Sequence, residues 1–261
     1  MLGVGWLILL TALLGAVLGS FLNVLVIRIK ESSSLWGRSH CPQCQHTIPP
    51  HHLVPILSWL MLRGRCGFCH RHIHVQYPLV ELAMACLTAI TALRYDFLLT
   101  TDAVSSMLFE ILFLATLLVL TVFDLRWKLL PMEFMTGSII VFAVWNILRD
   151  HPSVGSMLIG ALVGAVFLGA QFVLSRGKWM GGGDPIFGIL IGIALGWPLS
   201  GYALYLTYMG GGLLMGLFLL VGIVKRGSRI PFGPMLAAGA TLSLWFGPML
   251  HRIVREWWIG G

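Results

Sequence analysis

Long uninterrupted apolar stretches constrain this chain more than any other feature. A helix needs about 20 mainly apolar residues to cross the hydrocarbon core of a bilayer, and about eight such stretches can be counted. They cover residues 4–27, 79–98, 104–123, 133–148, 154–174, 185–200, 203–224 and 232–250. Only 10% of the residues are charged, whereas a soluble domain carries roughly 25%. We therefore predict an all-α integral membrane protein whose main neighbour is the lipid bilayer.

The placement of the basic residues predicts the orientation in the membrane. In the eight-span topology, thirteen of the 17 Lys and Arg residues lie on one side. They are Arg28, Lys30, Arg38, Arg63, Arg65, Arg71, Arg126, Lys128, Arg176, Lys178, Lys225, Arg226 and Arg229. Basic residues favour the cytoplasmic side, so we place these loops in the cytoplasm and both termini outside. Because the charges are spread over short loops beside lipid, we expect no nucleic-acid partner.

Glycine recurs every four or five residues in two of the predicted spans. The positions are Gly155, Gly160, Gly164 and Gly169, followed by Gly188, Gly192 and Gly196. Small residues let helices approach closely in lipid, where packing drives association. We predict that these glycines form helix-packing surfaces and are not site residues.

The longest polar segment, residues 28–78, contains two CxxC units. They are Cys41-Pro-Gln-Cys44 and Cys66-Gly-Phe-Cys69. Each CxxC turn offers two thiolates to one tetrahedral ion, and disulfides are rare in the cytoplasm. A redox-active pair is the alternative, although no thioredoxin-like strand pattern accompanies it. We predict a structural zinc ion held by all four cysteines, which needs none of the histidines in the same loop.

Two aspartates stand at the ends of predicted spans. Asp124 directly follows the apolar run 104–123, and Asp184 follows Gly181, Gly182 and Gly183. In the predicted topology both lie at the cytoplasmic membrane boundary, where an ionisable group is a functional candidate. In a carboxylate dyad, one ionised group takes a proton from water while its protonated partner donates a hydrogen bond to the scissile carbonyl. The glycines would let the backbone approach an extended substrate.

Simpler interpretations of these carboxylates stay open on spacing alone. Asp124 could be a solvated helix end beside Arg126 and Lys128. Asp184 could be an N-cap with Pro185 at the first helical position. Glu110 lies inside the third predicted span and has no part in a dyad. We expect it to pair with a polar group on another helix or to lie near the outer boundary.

Five features, taken in order, resemble the type IV prepilin peptidase family, which belongs to the GxGD group of intramembrane aspartyl proteases. They are Gly19-Ser-Phe-Leu-Asn-Val-Leu-Val-Ile-Arg28, the double CxxC loop closing with Tyr77-Pro78-Leu-Val-Glu81, Asp124 with Pro131 seven residues on, Gly181-Gly-Gly-Asp184, and Ile230-Pro-Phe-Gly-Pro234. One departure concerns the second aspartate motif, which often reads GxGDxKL. Here it reads Gly-Gly-Gly-Asp184-Pro-Ile-Phe, without the lysine.

The resemblance implies an aspartic endopeptidase in the bacterial cytoplasmic (inner) membrane. It would remove the basic leader of type IV prepilins or pseudopilins at the cytoplasmic face. It would then methylate the new N-terminal amine with S-adenosylmethionine. The sequence leaves open which prepilins are cut and whether the products serve type IV pili, type II secretion or DNA uptake. The resemblance assigns Asp124 and Asp184 as the peptidase pair, and Glu81 as a candidate for substrate binding or methyl transfer.

The implied organisation has three parts. Residues 1–28 form the first transmembrane helix, 29–78 the methyltransferase-associated zinc loop, and 79–261 the peptidase membrane domain. Two alternatives remain: a peptidase without methyl transfer, and a non-enzymatic scaffold or transporter with a zinc-clamped loop. A transporter would place ionisable groups in broken helices near mid-membrane. The sequence leaves the oligomeric state open.

Overall fold

The structure, a computed structural model, describes residues 2–95, 100–222 and 231–259. In these ranges every regular element is a helix, and β-structure is limited to two isolated bridges. The helices are α1 (Leu2–Lys30), α2 (Leu57–Met61), α3 (Gln76–Arg94), α4 (Thr101–Trp127), α5 (Met132–Arg149), α6 (Val154–Leu174), α7 (Asp184–Leu195), α8 (Leu199–Leu220) and α9 (Gly233–Ile259). A single 3-10 turn, Pro50–His52, precedes α2.

Six of these helices are long and apolar enough to cross a membrane, counted over the described ranges. They are α1, α3, α4, α5, α6 and α8. Helix α7 is also apolar, but its 12 residues extend only about 18 Å, against a hydrocarbon core of about 30 Å. The prediction of an all-helical, multi-span protein is confirmed. The count of about eight spans stays a prediction, with α7 and α9 covering the two remaining segments.

The chain forms two compact units, Met1–Val119 and Leu120–Gly261. In the first unit, α1 packs against α3 through two glycines. A Cβ atom at Gly15 would collide with Thr88 Oγ1, and one at Gly19 would lie 2.7 Å from the Cα atom of Glu81. The two helices therefore approach to backbone contact, as small residues allow in lipid.

In the second unit, α6 and α7 pack through glycines that face each other. A Cβ atom at Gly164 would collide with the carbonyl oxygen of Gly188, and one at Gly160 would lie 2.8 Å from that of Gly192. The predicted packing role is confirmed for these four glycines. It is also confirmed for Gly196, where a Cβ atom would lie 2.8 Å from the Pro152 side chain.

The prediction is wrong for the two outer glycines of α6. Among the described residues, no heavy atom lies within 4 Å of a Cβ position at Gly155 or Gly169. Both glycines lie on α6 but away from α7, because a repeat of four or five residues drifts around a helix of 3.6 residues per turn.

The far end of α7 is held by a buried side chain from α5. Asn146 donates hydrogen bonds from Nδ2 to the carbonyl oxygens of Ile193 (2.9 Å) and Ala194 (3.1 Å). The last carbonyls of a helix have no partner within the helix, so Asn146 satisfies two of them. Contacts with α5 and α6 thus fix α7, which begins at Asp184.

Candidate active site and metal-binding cluster

Asp124 lies in the last turn of α4 and is only 8% exposed. Its Oδ2 atom accepts a hydrogen bond of 2.7 Å from the backbone N–H of Gly233, the first residue of α9. A Cβ atom at position 233 would lie 2.8 Å from the same oxygen. Burial does not fit the alternative of a solvated helix end. The described part of the late motif, Pro231-Phe-Gly-Pro234, therefore supplies a donor to Asp124, while Ile230 lies outside the described residues.

Asp184 is the first residue of α7 and is 4% exposed. Its Oδ2 atom accepts a hydrogen bond of 2.8 Å from the backbone N–H of Gly181. The N-cap residue is Gly183, and no side chain caps the helix there. The alternative that Asp184 is an N-cap is therefore wrong: its carboxylate faces back to the glycine loop.

The two carboxylates are near enough to repel each other electrostatically. Each of them also accepts a backbone N–H from a glycine. Two acids that lie close together can share a proton, because both cannot readily ionise together. One carboxylate can then act as a base while the other donates a hydrogen bond, which is the division of roles that general acid–base chemistry requires.

The three glycines before Asp184 differ in the space around them. Gly181 and Gly182 are exposed, and a Cβ atom at Gly182 would lie 3.6 Å from Phe172, an ordinary contact. At Gly183 it would lie 2.9 Å from Cβ of Leu130. Only Gly183 is therefore required by packing within the protein. The other two present open backbone beside Asp184.

A polar pair that the sequence analysis did not single out lies within electrostatic range of Asp184. The Tyr208 hydroxyl donates a 2.8 Å hydrogen bond to Oε1 of Gln171, and its ring lies 5.6 Å from that of Phe232. Tyr208 also interacts electrostatically with Asp184. The available signal was the presence of Gln171, an amide, within an apolar span, because polar groups in such spans are costly without a partner.

The four predicted cysteines come together in the first unit. Their sulfur atoms all lie within 4.8 Å of one another, and those of Cys41 and Cys69 are 3.9 Å apart. A tetrahedral ion with Zn–S bonds of about 2.3 Å separates its sulfurs by about 3.8 Å. The cluster therefore has the dimensions and the donor set of a closed metal site. No histidine belongs to it within the described ranges.

Both CxxC units fold the same turn. The backbone N–H of Cys41 donates to the carbonyl of His46 (3.0 Å), and that of Cys66 donates to the carbonyl of Arg71 (2.9 Å). Each turn is closed by one isolated bridge, His40 with Thr47 and Arg65 with His72. This equivalence presents the two pairs of sulfurs in the same way to one ion.

Backbone amides of the second turn already favour the thiolate form. Hydrogen bonds from the backbone at Cys69 and Phe68 lower the pKa of the Cys66 thiol to about 7. In the first turn a backbone hydrogen bond at His46 lowers the pKa of the Cys44 thiol, but burial and the nearby Cys69 and Cys41 sulfurs raise it to about 11. Metal ligation requires the deprotonated sulfur, so the four thiols are not uniformly prepared for an ion.

Glu81, buried in α3, holds the loop and does not face open space. Its Oε2 atom accepts a 2.7 Å hydrogen bond from the backbone N–H of Ile56, just before α2, and a further hydrogen bond comes from Ser20. Asn23 of α1 donates to the carbonyl of Tyr77 (3.1 Å). These contacts join the Gly19–Arg28 motif of α1, the end of the cysteine loop and α3.

Two family models match this chain. Residues 13–95 match the Bacterial Peptidase A24 N-terminal domain, and residues 111–224 match the Type IV leader peptidase family. No solved structure matches significantly.

Three curated relatives carry the name prepilin leader peptidase/N-methyltransferase. The Bacillus subtilis protein is 31% identical, over 89% of this chain and 92% of its own length. The Aeromonas hydrophila protein is 32% identical over 96% and 94%, and the Pseudomonas aeruginosa protein is 30% identical over 94% and 92%. The buried aspartate pair, the four-cysteine cluster and these full-length similarities lead to one conclusion: the chain belongs to the type IV leader peptidase family.

Proposed function

We propose that this chain is a bifunctional enzyme that cleaves the leader of type IV prepilins or pseudopilins and methylates the new N-terminus. The observation that carries the proposal is the pair of buried carboxylates, each of which accepts a glycine N–H, with Asp124 within electrostatic range of Asp184. The three relatives named above align with this chain over nearly their whole length, and each is named a prepilin leader peptidase/N-methyltransferase. Their names support both activities.

In the proposed cleavage step, Asp124 and Asp184 share one proton. The ionised carboxylate removes a proton from water, whose oxygen attacks the scissile carbonyl, while the protonated carboxyl donates to the carbonyl oxygen. The tetrahedral intermediate then breaks its C–N bond, and the amine leaves with a proton from the dyad. Gly233 and Gly181 would keep the two carboxylates oriented during this exchange.

We propose that the substrate strand runs along the exposed backbone of Gly181 and Gly182, where no Cβ intervenes. Gly183 is the third of the candidate glycines, and its packing against Leu130 gives it a supporting role. The positive leader of the substrate would lie in the cytoplasm, because the bond that is cut lies on the cytoplasmic side, just before the apolar helix of the mature protein.

We place the protein in the bacterial inner membrane with the dyad facing the cytoplasm. The argument is the excess of Lys and Arg on one side of the predicted topology. The proposed organisation remains a first transmembrane helix (1–28), a zinc loop (29–78) and a peptidase membrane domain (79–261). The expected partners are prepilins and lipid, without nucleic acid.

Zinc is the metal we propose for Cys41, Cys44, Cys66 and Cys69, since four thiolates at tetrahedral spacing select it. Bound there, it would fix the loop and leave no open position for chemistry. S-adenosylmethionine would supply the methyl group. The described residues contain no strand–turn–helix unit of the Rossmann type, so its pocket must be of another design. Glu81 would act in methyl transfer by holding the loop through Ile56.

The test is mass analysis of the N-terminus of a co-expressed prepilin. Wild type is compared with Asp124→Asn, Asp184→Asn and the control Asp102→Asn, which neutralises an exposed aspartate in the first turn of α4. We expect a shortened, methylated product from wild type and Asp102→Asn, and an uncut precursor from the other two.

The alternatives give different products. A shortened but unmethylated N-terminus from wild type would leave the peptidase and remove the transferase. Full cleavage by both Asp124→Asn and Asp184→Asn would overturn the dyad. An uncut precursor with wild type, repeated with several prepilins, would favour the non-enzymatic scaffold.

A further inference from the structure

The short helix α2 exposes an apolar face that no described residue of the first unit covers. Leu57 and Leu60 are more than half exposed, and Met61 is 83% exposed. Their spacing places them on one side of the helix. Trp59, on another side, donates from Nε1 to the carbonyl of Ile73 (3.2 Å), so the helix cannot rotate to hide this face without losing that bond.

The depth of α2 follows from its attachment to a membrane span. Ile56, the residue before α2, is hydrogen-bonded to Glu81, and Glu81 is five residues into α3. The predicted span begins at residue 79, so Glu81 lies two residues, or about 3 Å, inside it. Ile56 therefore lies close to the membrane boundary at which that span begins.

The charge of the surrounding segment selects the partner. Residues 28–78 carry six Lys or Arg residues and a single acidic residue, Glu31. Arg63 and Arg65 follow α2 directly and are exposed. Anionic lipid headgroups attract such a segment, whereas a basic peptide would be repelled by it.

We propose that the exposed face of α2, formed by Leu57, Leu60 and Met61, inserts into the bilayer at the boundary between headgroups and acyl chains, with Arg63 and Arg65 on anionic phospholipid headgroups. An apolar face with adjacent basic residues is the pattern of a segment that lies in the membrane interface. The four-cysteine cluster is then held at the membrane surface from two sides, by Glu81 and by α2. Neither enzymatic activity is needed for this conclusion.

The test places the photoreactive residue benzoylphenylalanine at Leu60 or at Gln45, an exposed polar position in the first CxxC turn. The full chain is reconstituted, without substrate, in vesicles of phosphatidylethanolamine and phosphatidylglycerol whose acyl chains are radiolabelled. We expect lipid adducts from the Leu60 probe at least several-fold above those from the Gln45 probe. Retained metal content shows that each variant has kept its loop fold.

Two results would overturn the proposal. One is a Leu60 probe that labels protein, whether a second copy or an added prepilin, and no lipid. The other concerns headgroup choice: with the Leu60 probe in place, Arg63→Gln with Arg65→Gln should lower the share of phosphatidylglycerol in the adducts at least twofold. An unchanged share would remove the role of the two arginines.

Discussion

At the scale of single residues, the aspartates depend on backbone donors. A backbone N–H stays in place when a side chain is replaced, but the glycine that carries it can be sensitive to any added atom. Gly233 illustrates this, because its N–H donates to Asp124 and its missing Cβ leaves room for the same carboxylate. The sequence analysis singled out the motif that contains Gly233, Ile230-Pro-Phe-Gly-Pro234, because it resembles a family motif. The hydrogen bond joins residues 109 positions apart, so only the fold reveals it.

We predict that Gly233→Ala lowers prepilin cleavage by about tenfold to a hundredfold. The added methyl would displace the Asp124 carboxylate and lengthen a hydrogen bond to a charged group, which is worth about 1.5–3 kcal/mol. Initial rates of cleavage in detergent measure the effect. Gly155→Ala is the matched control, since its Cβ meets open space. Equal rates for both variants would mean that the Gly233 contact is unimportant.

A second residue-scale prediction separates substrate approach from internal packing in the glycine loop. Gly182→Ala should keep wild-type thermal stability and lose cleavage, since its Cβ fits beside Phe172 but would face the substrate. Gly183→Ala should lower the melting temperature, because its Cβ meets Leu130 at 2.9 Å. Melting curves and cleavage rates are measured on the same samples. A Gly182→Ala enzyme with full activity would argue against a substrate strand at this position.

At the scale of helices, the sequence identified the packing elements better than the packing faces. The α6–α7 glycines were predicted from their spacing, and Gly160, Gly164, Gly188 and Gly192 do pack against each other. Spacing alone could not exclude Gly169, because which side of a helix meets a partner depends on the partner.

The ion pair of Glu110 shows the same limit. The sequence marked Glu110 as an unexplained acid in a span, with a polar partner expected. The structure identifies this partner as Arg94 (2.6 Å), with a hydrogen bond from Tyr95. A buried carboxylate needs such partners, but the sequence offers several candidates and no means of choosing between them.

We predict that Gly164→Val destabilises the protein by about 1–3 kcal/mol, the usual cost of overpacking a close contact. Its side chain would enter the space of the Gly188 carbonyl on α7. The comparison is Gly169→Val, which makes the same change on the same helix at a position where no described heavy atom lies within 4 Å of the Cβ. Thermal unfolding in detergent distinguishes them. Equal melting temperatures would show that α6 and α7 do not approach this closely.

The cysteine loop provides the other element-scale prediction. Purified protein should contain about one zinc ion per chain, as four thiolates at this spacing require. Cys66→Ser should lose most of it and make residues 29–78 sensitive to protease, since metal binding supplies folding free energy. Cys86→Ser, which changes an exposed cysteine outside the cluster, is the control. Metal content that survives in Cys66→Ser would contradict the four-sulfur site.

At the scale of the whole molecule, apolar length and motif order were enough to predict a multi-span helical protein of this family. The four-cysteine cluster was equally accessible, because its ligands come in two local turns. What could not be predicted was the set of long-range contacts: Glu81 with Ile56, Asp124 with Gly233, and Tyr208 with Gln171. Each joins residues whose individual types are common, so only the fold distinguishes these pairs from many others.

The proposed order of reactions gives the last prediction. Cleavage must come first, because the amine that is methylated is created by it. Asp184→Asn should therefore leave a co-expressed prepilin both uncut and unmethylated, although its methyl-transfer machinery is intact. Supplying a synthetic peptide with the mature N-terminus bypasses the first step.

We expect Asp184→Asn to methylate this peptide with S-adenosylmethionine at a rate within about twofold of wild type, a difference of only about 0.4 kcal/mol in activation free energy. Cys66→Ser should show the converse, with cleavage kept and methylation of the same peptide lost, because the loop that we associate with methyl transfer is no longer held by metal. Mass analysis of the mature peptide measures methylation, and mass analysis of a co-expressed prepilin measures cleavage. If Asp184→Asn fails to methylate while its zinc content and melting temperature are normal, the two activities share the aspartate. One site would then carry out both reactions, in place of a loop for methyl transfer and a dyad for cleavage.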